Sequence, residues 1–317
     1  MCSSNSIVDK INKIRHKSSN ITINSGGQRI DNFLIKTIKG VPRSLIYKVI
    51  RDGQVRVNSK RVKPSYKLAC EDIIRIPPIS PQMKETSRSE KFLDTIDDHI
   101  IHENQDFLVI NKPAGLAVHS GTNVKYDVIS SLRKLKNNSN LAPVNRLDRN
   151  TSGCMLISKN YQSAKDLGKC FKLGTVKKMY TALLSGKLSK NIITVDLALK
   201  SDKRKRNGGV FVDSSGKNSL STFHVKKYFS SCTLVNVSIQ TGRTHQIRVH
   251  ASSMNHPICG DTKYGDKSIN TEFRNIGLSR IFLHSADLSF NYKKQYSFKS
   301  PLPDDLSNFI ENLENGL

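Results

Sequence analysis

Tryptophan is absent from the 317 residues, and acidic side chains are scarce, 26 against 51 Lys and Arg. The six cysteines, Cys2, Cys70, Cys154, Cys170, Cys232 and Cys259, stand singly with no Cys-x-x-Cys pair. That spacing argues against a zinc ribbon or a thioredoxin-like redox pair. A chain this long needs no disulfide staples, so reduced, mostly packed thiols are expected. No uninterrupted apolar run approaches the roughly 20 residues of a membrane-spanning helix. Residues 1–17 alternate polar and charged side chains and lack the apolar stretch of a secretory signal. A cytoplasmic protein away from membranes is the default expectation. Also missing is a glycine-rich loop after an early strand, which argues against a methyltransferase with a nucleotide-like cofactor.

What is abundant is positive charge, formally +25 at pH 7. Such a surface concentrates phosphate, so a polyanionic partner is implied. The chain is generally rich in Lys, Asn, Ile and Ser, as an AT-biased genome produces, so the sign of the charge informs more than its size. The length suits two domains.

Chemistry is expected at Asn145-Arg146-Leu147-Asp148-Arg149-Asn150-Thr151-Ser152-Gly153. One carboxylate lies between two arginines, and opposite charge nearby keeps it ionised. The turn-forming Asn-Thr-Ser-Gly places it in a loop ahead of the apolar strand Met155-Leu156-Ile157, where a rigid element can present it. Charge pattern alone favours the plainer reading of a solvated turn whose surface ion pairs contribute little.

Taken in order, residues 1–25 are polar and aperiodic and read as a disordered or loosely attached tail. Ile30, Phe33, Leu34 and Ile38 have helical spacing. Pro42 suits the start of a second helix burying Leu45, Ile46, Val49 and Ile50. Val55 and Val57 then alternate with polar residues as a strand does, Asn58-Ser59 makes a turn, and Ile73, Ile74 and Ile76 close the unit. Between Gln28 and Ile76 twelve cations face four anions, a local charge of +8. A domain at 26–77 is followed by a proline-bearing linker at 78–91 and a larger domain at 92–317. In the latter, Phe107 to Ile110 and Leu234 to Ile239 read as strands, as do Lys178 to Gly186 and Ser279 to Ala286. Helices are expected from Ala164 to about Gly174, from Thr244 (as N-cap) to Asn255, and from Leu306 to Leu313. Lys200 to Arg206 is a basic loop, solvated or touching RNA. His119 reads as a packed loop histidine. His245 and His250 are five apart, not the i, i+4 spacing of two ligands on one helical face, so no metal site is expected.

The Arg146-Leu147-Asp148-Arg149 run with Thr151-Ser152-Gly153 resembles the signature of the RluA-type RNA pseudouridine synthases, with Asn145 in place of the usual histidine. Asn111-Lys112-Pro113-Ala114-Gly115, Lys178-Met179-Tyr180 and Gly242-Arg243-Thr244-His245-Gln246-Ile247-Arg248-Val249-His250 resemble further segments of that family. The first domain, through Arg29-Ile30-Asp31 and Arg43 to Asn58, resembles the S4 RNA-binding module. The resemblance implies an α+β protein. A small S4 domain would precede a catalytic domain built on a mixed, largely antiparallel sheet with flanking helices. It implies isomerisation of uridine to pseudouridine, which changes no redox state and asks for no cofactor and no metal. Asp148 would be the catalytic carboxylate, as nucleophile or base. Arg243 would pair with it, Tyr180 would lie against the flipped base, and Arg149 would fill the vacated stack. Arg29, Arg43, Arg56, Lys60 and Arg61 would hold RNA. Gly277 to His284 resembles the ribosomal large-subunit branch, implying a monomer acting on 23S rRNA, near the peptidyl-transferase centre, or on a large-subunit assembly precursor. The alternatives are a sister ribosomal branch with other target uridines and a non-catalytic S4-type assembly factor.

Overall fold

The computed structural model describes residues 19–38, 41, 43–78, 95–119, 127–202 and 209–315. Residues 1–18 of the expected tail, Pro42, the linker from residue 79 on, Phe92 and residues 203–206 of the basic loop lie outside the described residues. The chain forms two compact units.

In the first unit, α1 (Ile30–Thr37) and α2 (Arg43–Arg51) lie beside a three-stranded antiparallel sheet. Its central strand β3 (Ile73–Ile76) is flanked by β1 (Ser19–Thr22) and β2 (Arg56–Val57). Leu34, Ile46 and Ile50 from the helices are buried with Val55, Val57, Ile74 and Ile76, while Ile73 points outward as strand alternation requires. Asn58 and Ser59, with φ 48° and 66°, turn the chain after β2. The Asn58 side chain locks the turn by donating to Asp72 at 2.8 Å and accepting from the Ile73 N–H at 2.9 Å. Ser19–Thr22 corrects the boundary of the tail. Four residues with one internal isoleucine carry too little pattern to read, yet they satisfy the free edge of β3.

The second unit is built on a ten-stranded mixed sheet. Its main path runs β4 (Ile100–Glu103), β5 (Phe107–Lys112), β7 (Ser152–Ser158), β14 (Leu283–Tyr292), β8 (Lys177–Ser185), β13 (Cys232–Ile239), β12 (Leu220–Tyr228) and β9 (Ile192–Asp196). Short β6 (Ala142–Pro143) pairs with β7, and β15 (Lys294–Lys299) with β14. Only the β7–β14 pair is parallel among these ladders. A separate hairpin joins β10 (Leu199–Asp202) to β11 (Gly209–Val212).

Both sheet faces are covered, which explains the unbroken apolar runs in β5 and β7. Leu108, Ile110, Met155 and Ile157 enter one core, together with Val128 and Leu132 of α3 (Val128–Leu135). Phe107, Val109, Cys154 and Leu156 enter the other, with Leu167 of α4 (Tyr161–Lys172). Asp127 and Asn160 start these two helices, each paired with a serine three residues on in a capping box. The helices α6 (Lys267–Asn275) and α7 (Asp304–Glu314) bury Phe273, Leu306 and Phe309 with Leu183 and Phe282.

Two local expectations shift, and the one for the cysteines holds. The strand expected from Ser279 starts at Leu283, because the Phe282 N–H goes to the Cys259 carbonyl instead of a ladder partner. His119 is exposed, not packed. Among the described cysteines Cys154, Cys232 and Cys259 are buried, Cys170 is half-buried and Cys70 is exposed, all as free thiols.

Gly153 opens the parallel contact that positions the central loop. It sits at φ +110° opposite Ser285, and an added Cβ would meet the Ser285 carbonyl. Gly153→Ala is expected to destabilise the fold by about 3 kcal/mol or more, from forbidden φ plus overpacking. The drop in urea midpoint against wild type measures it.

Candidate active site

Asp148 occupies the first position of a turn closed by the Thr151 N–H on its carbonyl at 3.1 Å, immediately before β7. Upstream, the Asn145 side chain accepts the Leu156 N–H at 2.7 Å. The residue that departs from the expected histidine therefore anchors the entry to the turn against β7. The loop after β5 clasps the turn from the other side. The Gly115 N–H donates to the Arg149 carbonyl at 2.8 Å, and Arg149 Nε donates to the Gly115 carbonyl at 2.9 Å.

Beneath both lies Lys112, fully buried at the end of β5. Its ammonium donates to the carbonyls of Pro113 at 2.8 Å, Leu116 at 3.1 Å and Arg149 at 3.1 Å. Burial pushes its pKa down to about 7, repulsion from Arg280 and Arg149 adds to the fall, and the Asp148 charge opposes it. The folded state then holds fewer protons than the unfolded one between pH about 7 and the ordinary lysine value of 10.5. Stability gains from this lysine as pH rises through that window. Lys112→Met is expected to remove that gain, read as a smaller rise in urea midpoint from pH 7 to pH 9 than wild type shows.

The Asp148 carboxylate is partly exposed and meets α5 (Gln246–Ser253). Arg248 Nη1 donates to its Oδ2 at 3.0 Å. The same guanidinium grips Asp261 through Nε and Nη2, each at 2.8 Å, and stacks over the Tyr264 ring at 5.1 Å. Asp261 is held in turn by the N–H groups of Lys263 and Tyr264. Burial disfavours the Arg248 charge, but hydrogen bonds and attraction from Asp261 and Asp148 outweigh it and raise its pKa. For Asp261, burial is likewise outweighed by Arg248, and its pKa is lowered. A clamped guanidinium of this kind fixes the carboxylate's orientation.

Arg243 was expected in that role, and the structure corrects this. Its side chain is exposed, with Nε on the Asn218 carbonyl at 3.2 Å. Among the described residues the cation paired with Asp148 is Arg248. The physical reason is where the helix begins. Gln246 captures the Arg243 N–H at 3.0 Å and the Thr241 hydroxyl at 2.7 Å, while its amide donates to the Leu220 carbonyl and Ser221. Helical geometry therefore starts after Arg243, with His245 and not Thr244 at the N-cap. His245 and Arg248, three residues apart, share the face turned to Asp148. That spacing was the available signal for Arg248. His250 is a buried brace between Ser219 and Ser221.

Tyr180 on β8 is buried, and burial pushes its phenol up to about 12, with Asp148 nearby adding to the rise and a Ser285 hydrogen bond opposing it. Arg149 is exposed beside Asp148. The fold therefore brings Asp148, ahead of β7, near Tyr180 on β8, and Arg149 follows Asp148 in the same turn.

In the first unit Lys60 and Arg61 line one hollow of about 530 Å³ together with Asn58, Lys63 and Tyr66. Arg43 is exposed. Arg29 is engaged by the buried Asp31, through Nε at 3.1 Å and Nη2 at 2.6 Å. Arg56 folds onto the Gly53 and Ser59 carbonyls. Among the described residues no group of His, Cys, Asp and Glu is arranged to hold a metal ion, and no helix is long and apolar enough to cross a membrane.

Comparison with known proteins identifies both domains. Residues 106–253 match the RNA pseudouridylate synthase family, and residues 28–74 match the S4 domain. A Vibrio vulnificus protein named ribosomal large subunit pseudouridine synthase C is 40% identical over 313 residues, spanning 96% of this chain and 99% of its own. Its namesake in Buchnera aphidicola is 39% identical over 93% of this chain and 96% of its own. Among solved structures, human RNA pseudouridylate synthase domain containing 1 superposes with TM-score 0.57 at 26% identity, covering 66% of this chain and 86% of its own. The human domain-containing 4 protein superposes at TM-score 0.60 over 72% of this chain and 97% of its own, a likeness of fold at 24% identity. The chain belongs to the RNA pseudouridylate synthase family, with an S4 domain ahead of its synthase domain. It is an isomerase of RNA uridines.

Proposed function

We propose that this isomerase converts uridines of 23S rRNA to pseudouridine, at the positions served by the synthase C branch, with Asp148 as its catalytic carboxylate. The observation that carries the reading is one partly exposed carboxylate held at 3.0 Å by an arginine that is itself clamped on a buried aspartate. The reaction breaks the N1–C1′ bond, turns the base, joins C5 to C1′ and loses the C5 proton. Asp148 either attacks the sugar carbon or takes a neighbouring sugar proton, and both roles need an ionised, fixed carboxylate. Tyr180 is a neutral phenol at physiological pH and lines the base. Arg149 fills the space the base leaves, offsetting an unstacking cost of a few kcal/mol.

The S4 domain, which we place from Ser19 to residue 77, would hold folded RNA by backbone and shape through Arg43, Lys60 and Arg61. Arg29 and Arg56 would support that surface. The stretch 78–91 would join it to the synthase domain at 92–317. The ~40% identity over nearly the full length supports rRNA or a large-subunit precursor as the substrate. A monomer at work in the cytoplasm, without cofactor, suits chemistry that is redox-neutral.

The test is incubation of the purified chain with 23S rRNA transcript and no added small molecule, followed by carbodiimide primer-extension mapping. New stops are expected. Binding without stops, on transcript and on precursor particles alike, would leave only an assembly factor.

A further inference from the structure

We infer that His245 is a positioning residue that selects which oxygen of Asp148 reacts, its ring proton being fixed on Nε2 by Tyr264. The inference rests on Asp148 being the catalytic carboxylate. Its basis is a count of protons. The Tyr264 hydroxyl accepts the Val210 N–H at 3.0 Å. The oxygen keeps a second lone pair, so Asp148 decides the direction: only when His245 Nδ1 accepts the Tyr264 proton, at 2.7 Å, does the neutral ring turn a hydrogen toward the carboxylate. A ring nitrogen that accepts is unprotonated, so the neutral imidazole carries its hydrogen on Nε2. Nε2 faces Asp148 Oδ2 at 3.7 Å.

Arg248 Nη1 faces the same Oδ2 at 3.0 Å. Arg248 hydrogen-bonds this oxygen while the Nε2–H faces it from just beyond hydrogen-bond reach, and among the described residues no hydrogen bond reaches Oδ1. Oδ1 is left with the greater electron density and an open approach. The Nδ1–H tautomer would turn the unprotonated Nε2 lone pair toward a carboxylate and repel it. Tyr264, by donating to Nδ1, disfavours that arrangement without touching Asp148.

The backbone is shaped for this contact. His245 adopts φ 55°, ψ 19°, a left-handed conformation uncommon for any residue but glycine. The groups facing the ring are Asp148 and Asp261, which favour its protonation, and Arg248 and Lys263, which oppose it. Burial outweighs them and lowers its pKa, so the ring stays neutral at neutral pH. Val210 lies on β11, so the hairpin β10–β11 sets the position of Tyr264 and, through it, of His245.

The test uses the full chain labelled with ¹⁵N, in which two-bond ring correlations report the tautomer independently of turnover. The His245 signals, assigned by their loss in His245→Gln, are expected to show Nε2–H. Tyr264→Phe keeps the ring under Arg248 and removes only the hydroxyl. It is expected to lower the single-turnover rate by about tenfold, the loss of one directed hydrogen bond, with KM within about twofold. It should also leave the His245 tautomer mixed. His245→Gln, which returns an N–H at the reach of Nε2, is expected to retain more activity than His245→Ala. An Nδ1–H tautomer, an unaltered rate in Tyr264→Phe, or glutamine no better than alanine would each overturn the inference. A wild-type chain that makes no pseudouridine fails the isomerase reading instead, and the tautomer measurement still stands apart from it.

Discussion

Asp148→Asn is expected to lower pseudouridine formation by on the order of 10³-fold or more while the chain still folds and binds RNA. The substitution is isosteric and replaces one carboxylate oxygen by an amide group, so neither attack on carbon nor proton abstraction remains possible at that atom. Arg248 loses one of two carboxylate partners but keeps both hydrogen bonds to Asp261. The cost in stability is therefore about 1 kcal/mol, that of one hydrogen bond in a partly exposed pair. RNA affinity should stay within about threefold, because phosphate contacts dominate binding and Asp148 supplies none. The measurement is release of hydrogen from C5 of labelled uridine, beside a filter-binding curve on the same rRNA fragment. Turnover within tenfold of wild type would remove Asp148 from the chemistry.

The sequence made the core strands legible because β5 and β7 are buried on both faces and read as continuous apolar runs. The turn bearing Asp148 was legible through its motif, since the charge pattern beside such a strand fits a solvated turn as well. What escaped was short or non-local. Ser19–Thr22 is ordered by pairing with residues more than fifty positions away, not by its own pattern. Lys112 was visible as a motif residue, but its burial beneath the turn depends on three carbonyls that only the fold assembles. Asp261 and Tyr264 belong to a loop with no periodicity of its own, and they become site residues only through Arg248. Arg243 was assigned to Asp148 by motif resemblance, which does not separate it from Arg248. The fold leaves Arg243 in the loop ahead of α5 and sets Arg248 within the helix, against Asp148, across a boundary the motif does not mark.

That boundary has an energetic consequence large enough to measure. Arg248→Met keeps the aliphatic stem but removes the charge that compensates Asp261, whose carboxyl has no solvent exposure. A buried carboxylate left without its partner costs about 3–5 kcal/mol. The sign with pH follows from the two states of Asp261. In wild type its pKa is lowered, so it stabilises the fold above the ordinary carboxylate range and loses that contribution on acidification. In the variant burial is left to dominate and raises it, so the folded form takes up a proton and the penalty shrinks as pH falls. The gap in urea midpoint between wild type and Arg248→Met is therefore expected to be widest near pH 7 and to close toward pH 4. Adding Asp261→Asn should recover much of the lost stability, since a neutral amide needs no counter-charge. It should not recover turnover, which falls by about a hundredfold once Asp148 loses its orienting donor. Arg243→Ala, by contrast, should change stability by less than about 0.5 kcal/mol, as an exposed side chain does. A double variant restored in both stability and rate would show that Arg248 acts only as a structural counter-ion. A large loss of turnover in Arg243→Ala would return the pairing role to that residue.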